Sequence, residues 1–202
     1  MKARALLARS LPGMVGLLLL CAAAATAQSE TSGGGVQASW GDGPLPVGRA
    51  PEWSFSEGVG FTWNVNSGRS HEIGLYALPG VSFRLSSRFE YVVEVHICHF
   101  VSPGGYMLGA MPIGGRFYFG HGQPQVYATF GMGAGWTNLT KLDEIDQRFN
   151  FLLQTGAGVR NPLSNGRAWT AEVRWSHISN AGMSSPNLGH NQFVFLGGFR
   201  FR

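Results

Sequence analysis

The sequence predicts an all-β protein, eight antiparallel strands closed into a barrel that crosses a membrane. Three observations lead there. Apolar and polar residues alternate through most of the chain after residue 51, the period-2 pattern of strands with one face against an apolar medium. The alternating stretches run about 10 to 14 residues, enough for a tilted strand to cross a bilayer. Their polar faces combine small residues with lone charges, as a narrow packed lumen requires, and Trp and Tyr gather toward strand ends, where a membrane girdle sits.

The strands follow in order. In the first, Phe55, Val59, Phe61, Trp63 and Val65 share a face that only Glu57 breaks, against Ser56, Gly58, Gly60, Thr62 and Asn64. Ile73, Leu75, Ala77, Val81, Phe83 and Leu85 form the second apolar face, and Phe89, Tyr91, Val93, Val95 and Ile97 the third, backed by Glu90, Glu94 and His96. The fourth stretch, from Tyr106 to Phe119, is less regular. Val126, Ala128, Phe130, Met132, Ala134 and Trp136 make the fifth face, and Phe149, Phe151, Leu153, Ala157 and Val159 the sixth. In the seventh, Trp169, Ala171, Val173 and Trp175 oppose Thr170, Glu172, Arg174 and Ser176; in the eighth, Phe193, Phe195, Phe199 and Phe201 alternate with Gln192, Gly198, Arg200 and Arg202. A bacterial outer-membrane barrel normally ends in an aromatic residue; here Phe201 is penultimate. Links after strands two, four and six are short (86–88, 120–124, 161–167), and those after five and seven are longer (138–148, 180–190). Short turns face the periplasm in such barrels, so the C-terminal end of strand seven is expected at the outer leaflet.

Composition agrees with this reading. Only 13% of the 202 residues are charged, and 30 are glycine. Residues 1–27 read as a signal peptide: Lys2, Arg4 and Arg9, then an apolar run, then Ala25-Thr26-Ala27. A lipoprotein signal at Cys21 is disfavoured by Leu20, which stands where a small residue belongs. The leader holds three of fifteen basic residues and no acidic one, which leaves twelve against eleven, a net charge of +1. No basic stripe remains for nucleic acid. Cys98 alone remains after Cys21, so no disulfide scaffold forms, and no apolar run is long enough for a transmembrane helix. Residues 28–51, rich in Gly, Ser and Pro, read as an irregular segment, and 52–202 as the barrel.

The polar exceptions on the apolar face carry the chemistry. His177 and Ser179 are two apart, so they share the lipid-facing side of strand seven with Trp175. A His and a Ser there are costly unless they sit at the headgroup boundary or pair with each other. They either mark where the lipid belt stops or form an activated nucleophile. Glu90, Glu94, His96, Glu172 and Arg174 have inward parity and read as a structural lumen network. His99 is an outward rim histidine. His71, His99, His121 and His190 lack metal-ligand spacing, so no metal is expected. Lys141 and Arg148 in the longer loop read as solvated charges or as contacts for phosphate.

The string His177-Ile178-Ser179-Asn180-Ala181-Gly182, followed by Pro186-Asn187 and Gly189 before a last aromatic strand, resembles the PagL family of outer-membrane lipid A 3-O-deacylases. The close match covers Trp175 to Phe199; elsewhere the agreement is one of strand pattern and length. The resemblance implies a site on the outer surface of the barrel, Ser179 as nucleophile, His177 as general base and then acid, and Asn180 with backbone N–H groups near Gly182 holding the oxyanion. It implies lipid A of the outer leaflet as substrate, no cofactor, and the ester at its 3 position as the bond cleaved; it says nothing of oligomeric state. One position departs: the family's orienting glutamate, fourteen residues after the histidine, is Asn191 here. An amide oxygen can fix the imidazole tautomer but supplies no negative charge. A slower enzyme, an inactive one and a Ser-His-Asn variant stay open, and so does a non-catalytic small barrel with a structural or surface-binding role. A pore is disfavoured, because eight strands leave little lumen.

Overall fold

Side chains that alternate in polarity can bury only one face of a strand, and here the buried face is the polar one. A computed structural model describes residues 51–62, 72–102, 104–120, 122–139, 147–164, 166–185, 187 and 189–201. The signal-peptide reading, nearly all of the irregular segment, the first-strand residues Trp63 to Val65, and His71, His121, Lys141, Pro186 and Arg202 lie outside them. Eight strands run β1 Glu52–Thr62, β2 Ile73–Arg84, β3 Phe89–Ser102, β4 Gly105–Tyr118, β5 Gln125–Thr137, β6 Phe149–Pro162, β7 Ala168–Ser179 and β8 His190–Phe201. Each pairs antiparallel with its neighbours in sequence, and β1 pairs with β8 from Trp53↔Phe201 to Thr62↔Gln192, which closes the barrel. Closure leaves no unpaired edge, the condition for strands in lipid.

The exterior is apolar and the interior polar. Phe199 is 63% exposed while its neighbour Arg200 is 1% exposed, and Trp53, Leu108, Ile113 and Trp136 are exposed as well. Among the described strand residues Glu57 is the one charged side chain on the outward face.

The strands extend beyond their sequence-level cores: β6 continues through Asn161 and Pro162, and β8 begins at His190, residues expected in links. The irregularity of β4 has a structural cause. A register shift between Ala110 and Ile113 against β5, and one in the β3–β4 pairing between Tyr91 and Glu94 of β3, put Pro112 and Ile113 both outward. Such bulges reset the inside–outside parity and let a proline stand in a strand.

Connections 85–88, 119–124 and 163–167 share one end of the barrel, here the turn end; the other is the site end. Not every link at the site end is long, for only residues 103–104 join β3 to β4. The lumen changes character between the ends. Near the turn end Arg200 pairs with Glu90 and, at 2.9 Å, with Glu52, while Arg160 holds Glu52 at 3.0 Å. In the middle Arg174 lies 2.6 Å from both Glu94 and Glu172, and Arg116 reaches the same two carboxylates at 3.0 and 3.2 Å. Toward the site end an apolar cluster fills the interior, Phe100, Met107, Leu139, Leu152 and Ile178 among it. Side chains fill the interior of the barrel, as eight strands allow.

Candidate functional site

The alternation of β7 turns Arg174, Ser176 and Ile178 into the lumen and leaves Trp175, His177 and Ser179 on the outer surface at the site end, each half-buried among neighbours. On β8 the same rule buries His190 and Gln192 and turns Asn191 outward. The register sets His177 directly opposite Asn191. Their side chains meet, with Nδ1 2.8 Å from the amide Oδ1. That oxygen can only accept, so Nδ1 carries the proton and the Nε2 lone pair is left for chemistry. Trp175, two residues back on the same face, stacks on the imidazole with ring centroids 5.4 Å apart and planes 13° from parallel. Ser179, two residues on, lies opposite Phe151 of β6.

Gly189 has a specific duty beside the histidine. A Cβ there would stand 2.5 Å from His177 Cε1, and its φ of +71° is left-handed. Only glycine meets both demands. The connection before it begins with a tight turn in which Met183 N–H donates to Asn180 C=O at 3.1 Å, and both central residues, Ala181 (φ +54°) and Gly182 (φ +80°), are left-handed. Positive φ at both is the mark of a type I′ turn, and it is strained at an alanine.

Asn180 is 2% exposed and holds this turn together. Its side-chain oxygen accepts from Gly182 N–H at 2.9 Å, its amide donates to Ser184 Oγ at 2.8 Å, and its backbone N–H donates to Asn187 Oδ1 at 3.1 Å. The two groups expected to hold an oxyanion, the Asn180 side chain and Gly182 N–H, are thus hydrogen-bonded to each other. The structure brings His177 and Asn191 together and uses Asn180 and Gly182 in the adjoining turn. Trp175 and Ser184 carried no functional signal in the sequence: a tryptophan there reads as girdle, and a loop serine as solvent-facing.

The other candidates lie apart. Glu94, Glu172 and Arg174 are in the lumen network, and His96 is fully buried 3.3 Å from Gln154. His99 is outward and exposed on β3, opposite Tyr106, and Arg148 is exposed at the start of β6.

The family model for lipid A 3-O-deacylase (PagL) matches residues 87–200. No curated protein sequence matches. Among solved structures, the crystal structure of the outer membrane enzyme PagL is similar at 21% identity, over 72% of this chain and 97% of that one, with a TM-score of 0.58; at that identity the likeness is one of fold. The backbone structure of the Yersinia pestis outer membrane protein Ail aligns over 75% of this chain and all of that one, at 12% identity and a TM-score of 0.40.

Proposed function

The chain belongs to the lipid A 3-O-deacylase (PagL) family, and from that premise we propose that it is a serine esterase of the bacterial outer membrane that removes the ester-linked acyl chain at the 3 position of lipid A. The observation that carries the reading is the outward His177–Asn191 pair, 2.8 Å apart across β7 and β8, with His177 on the strand that bears Ser179. An esterase for a soluble substrate would keep such a pair in a cleft. Here it lies on the face that meets lipid, with the site end toward the outer leaflet, so a lipid ester reaches it by lateral diffusion.

In this mechanism His177 Nε2 takes the proton from Ser179 Oγ as that oxygen attacks the ester carbonyl, and Nδ1–H stays on Asn191 Oδ1. Collapse of the tetrahedral intermediate breaks the bond to the sugar oxygen, which leaves with the proton from Nε2. Water, deprotonated by the same nitrogen, then frees the fatty acid and restores Ser179. Asn180 and the N–H groups around Gly182 are the oxyanion donors that family likeness suggests. Their mutual hydrogen bond means that stabilising the oxyanion requires the turn to exchange that partner for the substrate.

The test is to express the chain, exported through residues 1–27, in outer membranes carrying fully acylated lipid A, and to weigh the lipid A by mass spectrometry. Loss of one acyl chain, abolished by Ser179→Ala, is expected. Unchanged lipid A from a well-expressed, folded barrel would sink the proposal and leave the second reading, a non-catalytic surface barrel, which the amide in place of the family's carboxylate favours.

A further inference from the structure

Behind the outward pair, on the inner face of the same wall, stands a second pair. His190 precedes Asn191 and points into the lumen, where its Nδ1 lies 3.1 Å from Glu72 Oε2. Both side chains are 0% exposed. Phe100 meets the imidazole of His190 edge-on at 5.6 Å. Glu72 immediately precedes β2, and β8 and β2 are the two neighbours of β1, so the contact joins two strands that share no hydrogen-bond ladder. We infer that Glu72 and His190 are positioning residues, which set the start of β8 so that Asn191 and Gly189 meet His177 in register.

The argument is mechanical. Successive residues of a strand point to opposite faces, so rotation or slippage that moves His190 inside must move Asn191 outside. The start of β8 needs an anchor, because the residue before it is in the left-handed region and the connection from β7 arrives through a strained turn. The tolerance is small. Gly189 lies so close under the His177 ring that even a Cβ would overlap it, and the Asn191 contact is at ordinary hydrogen-bond distance. Ile178, directly opposite His190, packs in the apolar cluster at this end, so the β7 side of the pair is already held. The Glu72–His190 contact supplies the corresponding hold on β8. A carboxylate and an imidazole buried this fully resist separation, because breaking a buried polar contact costs more than breaking one exposed to water.

The consequence for deacylation rests on the function proposed above, but the positioning itself is read without activity. In the full barrel with 15N-labelled histidine, the Nδ1–H of His177 bound to Asn191 gives a downfield ring resonance, identified by its loss in His177→Gln and in Asn191→Ala. Glu72→Ala is expected to abolish or shift that resonance while the barrel keeps its heat-modifiable, folded mobility. His190→Phe, which retains the ring volume beside Phe100 but has no donor, should do the same. Glu72→Gln, which still offers an acceptor, should retain the resonance. If deacylation occurs, the two disruptive variants should lose about 10- to 100-fold in kcat with KM little changed, as for misplacement of a reacting group. An unchanged resonance in either folded disruptive variant overturns the inference. So does failure of both to fold, which would make the pair a general stabiliser. Loss of the resonance in a chain that never deacylates lipid A would uphold the positioning and sink only the enzymatic reading.

Discussion

At Asn191 this site departs from its family pattern by an amide in place of a carboxylate, on a side chain one methylene shorter than glutamate. The amide oxygen reaches His177 Nδ1 at 2.8 Å, so orientation and tautomer are secured, whereas the charge that would stabilise an imidazolium is absent. In a serine-protease triad the exchange of acid for amide costs roughly 10⁴-fold in rate. Asn191→Glu is therefore expected to raise the deacylation rate tenfold or more, measured as fatty acid released per barrel from lipid A in vesicles. No gain would mean that the amide already meets the needs of this site. The candidate residues were legible singly, for His177, Ser179 and Asn191 show as polar exceptions on apolar faces. Their meeting was expected from strand parity and the family pattern together, but it rests on the register of β7 against β8, and a slip of one residue would turn Asn191 inward. Gly189 was legible only as part of a motif. Its duty, making room for an imidazole, belongs to three dimensions.

Among the elements, the β1–β8 seam closes the barrel and distinguishes two glycines that look alike in sequence. A Cβ on Gly58 would stand 1.8 Å from Phe195 O, whereas a Cβ on Gly197, opposite Glu57, would meet nothing within 4 Å. Gly58→Ala must push the two strands apart and is expected to cost about 3 kcal/mol. Gly197→Ala should stay within about 0.5 kcal/mol of the parent. Urea unfolding in lipid vesicles checks both, and equal midpoints would show that the seam relaxes freely. The period-2 pattern revealed all eight strands because each has one face on lipid. Their ends were less visible: Asn161, Pro162 and His190 carry turn-like or polar residues into the ladder, where pairing with neighbours outweighs local preference. The bulges of β4 appeared in the sequence only as loss of rhythm.

For the molecule as a whole, the lumen is filled by side chains, and its stability rests on a buried charge network. Arg174, 2% exposed, neutralises Glu94 and Glu172 at 2.6 Å each, with Arg116 as their second cation. Arg174→Leu leaves two buried carboxylates sharing one guanidinium, and the expected loss is about 3–5 kcal/mol. The urea midpoint in vesicles reports it, with the register-dependent His177–Asn191 contact as an internal check that the site end survives. A loss below about 1 kcal/mol would mean that Arg116 and the lumen rearrange to share the charge. Glu90, Glu94, His96, Glu172 and Arg174 were recognisable as lumen residues from parity alone. The placing of the arginine–carboxylate network toward the turn end and of the apolar cluster toward the site end was not, since it depends on how far each strand is staggered past the next.

By itself the sequence determined the fold class, the inside and outside of each strand, and the family, because a chain between lipid and a narrow lumen must alternate, and a short motif of spaced polar residues survives on an otherwise apolar face. Tertiary structure decided which of those residues touch. It joined His177 to Asn191 across fourteen residues, engaged Asn180 and Gly182 in a turn, and set Glu72 against His190 from the far side of β1. Those contacts arise from register and stagger between strands, quantities that period-2 alternation within one strand leaves open.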